Sequence, residues 1–252
     1  MLSTRTYQRW QLLILAATGL FLIEKIWSKS LFWYINERFW LLVLVAGIGL
    51  LVLAQVGYTQ LRATKASHQH SHDAHDHDHD HPQSWHGMLW LALPVLLGIL
   101  IPAKPLGSSA ISNRGINVNA PLTSQDRNSV ARIQIAPADR TVLDWVRAFN
   151  YSQDPQEFVG QPVDILGFVY HDSRLSDNTF LLGRFSLSCC VADALAIGVV
   201  VQNAQAQDLK DNIWLHIQGT MQVTEINGTP TPLVIPTTMQ EVPEPDQPYL
   251  YY

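Results

Sequence analysis

Hydrophobic and polar positions follow two regimes along the chain. Up to residue 106 the apolar residues come in nearly unbroken runs, whereas from residue 131 onward they alternate with polar ones or recur at helical spacing. The runs are 10–26 (WQLLILAATGLFLIEKI), 39–58 (FWLLVLVAGIGLLVLAQVGY) and 85–101 (WHGMLWLALPVLLGILI). A helix that crosses a bilayer needs about 20 apolar residues, so the pattern predicts an α-helical membrane portion of about three transmembrane helices. The middle run carries no charge, and Trp40 and Tyr58 stand at its ends as interfacial anchors. The first run is followed by the bulky IWSKSLFWY and no small-x-small cleavage site, which predicts a retained helix rather than a signal peptide. The third contains Pro94, tolerated where neighbouring helices satisfy the freed carbonyl, and stops at Pro102 and Pro105.

A polar stretch, 107–130, reads as a linker to a soluble β-rich domain over 131–252. There Val142, Trp145, Val146 and Phe149 recur at helical spacing within 141–150. Strands are predicted at 162–170, 179–188, 198–202, 213–223 and 231–242, with Asn227-Gly228 as a hairpin signal. Gly167 and Gly219 fall mid-strand, where small barrels bend. The expected architecture is an OB-like five-stranded barrel with a short helix, placed between the third and fourth strands in that arrangement.

Both cysteines of the chain lie in 184–201, RFSLSCCVADALAIGVVV. Its first half alternates like a half-buried strand, and VADALAI has the composition of a short helix. If the chain turns helical at the cysteines, Cys189, Cys190 and Asp193 share one side of a turn and could ligate a soft or borderline metal such as zinc. His171 or His216 could supply the missing ligand. Cysteine also packs as a small hydrophobe, and Asp193 could simply cap a first turn, so both readings stand at this level. A disulfide between neighbouring cysteines would strain the intervening peptide.

Between the second and third runs lies HQHSHDAHDHDHDH, 68–81. It is too polar to fold alone. His68, His70, His72, His75, His77, His79 and His81, interleaved with aspartates, offer overlapping sites for divalent metal, suited to capture or sensing rather than catalysis. A purely solvated linker is the competing reading.

Composition narrows the function classes. A net charge of −5, with no cluster of lysine or arginine in the β-rich part, argues against nucleic acid as a partner. Two adjacent cysteines are too few for a secreted disulfide framework. With three crossings, the basic flank at Arg5 and Arg9 places the N-terminus inside a plasma (inner) membrane as a multi-pass protein, with the C-terminal domain extracytoplasmic.

The run LPVLLGILIPAKPLGSSAISNRGI, the elements PVDILGFVY and IWLHIQGTMQV, the segment RFSLSCCVADALAIGVVV and the closing QPYLYY together resemble the YcgQ-type family over nearly the full length. Members are described as subunits of a two-component permease. The resemblance implies a separate polytopic permease as partner and a link to zinc homeostasis. The expectation is therefore a non-enzymatic membrane accessory subunit in contact with lipid, permease and divalent metal. The rivals are a thiol-dependent redox enzyme with Cys190 as nucleophile, which lacks a sequence-local base, and a scaffold that binds no metal.

Overall fold

The computed structural model describes residues 4–67, 85–116, 135–152, 154–226 and 228–251. Seven histidines expected to gather metal, those of 68–81, lie outside the described residues. The chain divides into two compact units, Met1–Lys104 and Pro105–Tyr252.

The first unit contains α1 (Thr4–Trp27), α2 (Trp40–Ser67) and α3 (Trp85–Leu100). Short 3-10 turns at Ser30–Trp33 and Glu37–Phe39 reverse the chain between the first two. The α1–α2 pair is drawn together by glycine: a Cβ on Gly19 would lie 2.8 Å from the Gly47 carbonyl oxygen. Such small-residue contacts let helix backbones approach without a side chain between them. Both helices are long and apolar enough to cross a membrane, and only 6% and 11% of their apolar windows are buried. That leaves the hydrophobic surface for lipid to cover, unlike the core helix of a soluble protein.

The expected third span is not among them. With 16 residues, α3 rises about 24 Å at 1.5 Å per residue, short of a hydrocarbon layer of about 30 Å. Pro102 disfavours a helical conformation at Ile101, so the helix stops at Leu100 although the apolar run continues. The described residues therefore hold two candidate spans.

The second unit is a barrel. Its strands are β1 (Pro162–Tyr170), β2 (Thr179–Leu187), β3 (Leu195–Gln202), β4 (Trp214–Ile226), β5 (Thr229–Val242) and the short β6 (Tyr249–Tyr251). The order β1-β4-β5-β3-β2, closed by β1 against β2, makes a five-stranded closed barrel in which β3 and β5 are parallel. This is the OB arrangement that the strand spacing anticipates. β6 adds in parallel to the downstream half of β2, the part of that edge β1 leaves open.

No helix separates β3 from β4, where only a 3-10 turn forms at Ala206–Asp208. The barrel is plugged instead by α5 (Val142–Tyr151), which precedes β1. Thr141 and Asp144 cap its start reciprocally, and Val142, Trp145 and Val146 enter the interior beside Phe158 and Leu182.

The half-buried reading of β2 also changes, since all nine of its residues are buried. A second apolar cluster covers its outer face. There α4 (Ser108–Arg114) and the residues after it bring Ile111 and Ile116 onto Leu181, Phe185 and Val200. The first part of the expected linker thus belongs to this unit.

Candidate metal centre

β2 ends at Leu187, and the chain must reverse within seven residues to begin β3 at Leu195. The reversal is built on Asp193. Its carboxylate accepts the backbone N–H of Ser188 at 3.1 Å and of Cys189 at 2.7 Å, while its own N–H reaches the Cys190 carbonyl at 3.0 Å. These bonds tie both ends of the turn together and hold the two cysteines on its outside. The expected VADALAI helix does not form. Only Val191–Asp193 makes a 3-10 turn, because the antiparallel ladder carries Leu195 opposite Ser186 and draws the later residues into strand. Ala194 and Ala196 are buried in the outer cluster, so tertiary packing overrides helix propensity.

The three sequence-predicted side chains nonetheless meet. The Cys189 and Cys190 sulfurs are 3.7 Å apart, and one ligand atom from each of Cys189, Cys190 and Asp193 fits within 4.8 Å. Cys189 and Asp193 are exposed and Cys190 is half-buried; both thiols are free. No other such group of three potential ligands occurs among the described residues.

Charge shapes the site. The hydrogen bond to the Asp193 carboxylate, with the Cys190 thiol as neighbour, pushes the Cys189 thiol up to about 11. Burial would raise the Asp193 carboxyl, but the bonds it accepts from the Cys189 thiol and the turn's backbone amides outweigh that and hold it below the usual carboxylate range. A thiol so protonated is a poor nucleophile at neutral pH. A divalent cation between thiols and carboxylate would displace that proton and take all three as ligands.

Neither histidine of the barrel joins them. His171 is held by its own partners, Asp211 at 2.7 Å through Nδ1 and the Ala206 carbonyl at 2.9 Å through Nε2. His216 Nε2 is bonded to Asp164 across the β1–β4 pair, and Gln218 donates to the same carboxylate at 2.8 Å. Asp193, expected from the sequence as a candidate cap of a first helical turn, instead accepts two amides that precede it and so closes the turn between strands.

Comparison with known families now decides the kinship. Residues 10–117 match the DUF1980 N-terminal domain and residues 119–252 the DUF1980 C-terminal domain. The chain belongs to the DUF1980 family. UPF0703 protein YcgQ of Bacillus subtilis (strain 168) is 31% identical over 105 residues, which covers 41% of this chain and 36% of that protein. A Streptococcus mutans serotype c (strain ATCC 700610 / UA159) protein named "Putative two-component membrane permease complex subunit" is 24% identical over 196 residues, 64% of this chain and 71% of its own. The chain thus aligns with about a third of the length of the Bacillus relative. The YcgQ-type resemblance read from the sequence holds for this DUF1980 member.

Proposed function

We propose that this DUF1980 protein is a non-catalytic, membrane-anchored accessory subunit of a two-component permease, and that its barrel holds a divalent metal, zinc by ligand chemistry, on Cys189, Cys190 and Asp193. The observation that carries the metal reading is the spacing of the sulfurs. Two thiolates on a tetrahedral zinc, each about 2.3 Å from the ion, stand about 3.8 Å apart. The Cys189 and Cys190 sulfurs are 3.7 Å apart, with Asp193 in reach as a third ligand. A fourth position is left for water or a partner's side chain.

Disulfide chemistry fits the pair less well. Consecutive Cα atoms lie about 3.8 Å apart, below the roughly 4.4–6.8 Å that ordinary disulfides span. The permease reading is supported by the name of the Streptococcus relative and by two apolar helices that a membrane would cover. In this scheme His68, His70, His72, His75, His77, His79 and His81 gather metal weakly, and the barrel holds one ion firmly. The permease itself is a separate polytopic chain.

Metal analysis of the full-length protein, purified in detergent and loaded with zinc, tests this. One firmly held zinc per chain is expected, lost in Cys189→Ser and in Cys190→Ser. Replacing residues 68–81 by Gly/Ser removes only weaker binding. Undiminished firm binding in both cysteine variants overturns the centre. Failure of any polytopic chain to copurify from native membranes overturns the subunit role.

A further inference from the structure

The geometry points to a binding site for one anionic phospholipid on the α1–α2 pair. This inference goes beyond the metal centre and rests on the reading of α1 and α2 as membrane helices. A groove of about 950 Å³ runs along the pair. One end carries Arg9 of α1 and Arg62 of α2, with Tyr58 one turn from Arg62; Gln55 lies midway, and the walls further along are apolar, including Leu13, Ile48 and Val52.

Helix direction explains why the two arginines line the same end of the groove. α1 and α2 run antiparallel, as the approaches of Gly19 to Gly47 and of Gly57 to Leu12 require. The start of α1 therefore lies beside the end of α2. Trp10, exposed on the outside of α1, marks the same level as an interfacial residue.

Charge complementarity selects the occupant. Arg62 lies over the Tyr58 ring, 4.5 Å from its centre, and donates to the Tyr58 hydroxyl, so a rigid aromatic supports it and its other N–H groups are left to donate. The acidic groups among the described residues of this unit, Glu24 and Glu37, sit at the opposite end of the helices. Two guanidinium groups therefore face the headgroup level without a described carboxylate between them. Arginine's fork of N–H donors matches phosphate oxygens.

Depth agrees with the chemistry. From Arg62 to Ile48 is fourteen residues of helix, a rise of about 21 Å. That is about half of a bilayer of 40–45 Å including headgroups. A lipid of one leaflet would set its phosphate at Arg9 and Arg62 and lay an acyl chain along Leu13, Val52 and Ile48. The polar end and the apolar trough are thus in the order and at the separation that one phospholipid needs.

The test is lipid retention by the full-length protein. Wild type, Arg9→Gln/Arg62→Gln and Arg9→Lys/Arg62→Lys are purified in detergent, exposed to mixed micelles of phosphatidylglycerol and phosphatidylcholine, washed, and their bound lipid measured by mass spectrometry. About one phosphatidylglycerol per chain is expected on the wild type. The glutamine pair should bind it roughly thirtyfold more weakly, from about fivefold per basic residue near an anionic headgroup. The lysine pair should retain most of it, and helicity of all three reports folding. Equal retention of both lipids by the wild type, or an unchanged ratio in the glutamine pair, overturns the site while leaving the membrane reading intact. Val52→Trp fills the trough: loss of a copurifying polytopic chain without loss of phosphatidylglycerol would make a protein helix the occupant and sink the proposal. Recovery of the chain in the soluble fraction would sink the membrane reading and the lipid site together.

Discussion

Gly219 of β4 lies so close to β5 that a Cβ there would sit 2.2 Å from the carbonyl oxygen of Ile235. The register of β4 on β5 slips between Gln218 and Gly219, which is where the barrel wall bends. The neighbouring atoms are backbone, so neither strand can yield without breaking its ladder. Gly219→Ala is expected to cost about 3 kcal/mol or more, the upper range for overpacking. Gly228, at φ +78° with open space around its missing Cβ, should lose only about 1–2 kcal/mol as alanine, the cost of a left-handed backbone. Denaturation midpoints of the two variants check the order.

Arg184 is buried inside this unit, and that burial pulls its guanidinium down to about 10. It donates to the Leu166 carbonyl at 3.3 Å and the Gln247 carbonyl at 3.2 Å, and lies over the Trp214 ring. It thereby fastens the chain just ahead of β6 to the barrel. Arg184→Leu should cost about 2–3 kcal/mol, since two half-buried carbonyls lose a charged donor. Amide exchange in Tyr249–Tyr251 should accelerate before the rest of the barrel does; uniform acceleration would contradict the fastening role.

His171 offers a pH test away from the thiols. Burial alone would lower its pKa, but the Ala206 carbonyl and the Asp211 carboxylate favour the protonated ring and raise it above 6.5 on balance. A group with a raised native pKa contributes its stability fully below the unfolded value and loses it as pH climbs through the native one. The melting temperature should therefore decline from pH 6 toward pH 8, and His171→Gln should flatten that part of the profile. An unchanged slope in the variant would remove the assignment.

The number of crossings decides on which side the thiols emerge. Three crossings gave the extracytoplasmic barrel expected from sequence. With two, Lys104 and Arg114 join Arg5, Arg9, Arg62 and Lys65 on the N-terminal side, against Lys25, Lys29 and Arg38 opposite, which sharpens the positive-inside bias. Because Cys189 and Cys190 are the only cysteines and Cys189 is exposed, a membrane-impermeant maleimide, applied at mildly alkaline pH and for long enough that a thiol held protonated still reacts, reports the side without mutation. Metal-stripped protein should be labelled only after permeabilisation. Labelling in intact cells would show that α3 crosses.

Much of the barrel was legible because its strands obey local rules. Period-two alternation located β1 and β4, Asn227-Gly228 the hairpin between β4 and β5, and Gly219 the slip in register of β4 on β5. The elements that escaped depend on distant partners. β6 is three residues long and exists because β1 leaves the end of β2 unpaired. α4 reads as linker because Ile111 and Ile116 matter only against Leu181 and Val200. At the candidate centre the three side chains that meet, Cys189, Cys190 and Asp193, were readable from composition and spacing. Their mode of assembly was not: helix propensity in VADALAI lost to the ladder with β2, and a carboxylate gripping two amides replaced the helical turn.

Closure of the barrel carries a consequence for how the protein is made. β1 has a neighbour of similar age in β2, but its other edge waits for β4, some fifty residues later, and β5 must follow before β3 is flanked on both sides. Contacts so distant in sequence form slowly. During synthesis the apolar helices leave the ribosome and reach lipid while the strands behind them are still incomplete, so anchoring precedes maturation, and any ion bound by the thiol turn is acquired by a chain already tethered to its membrane.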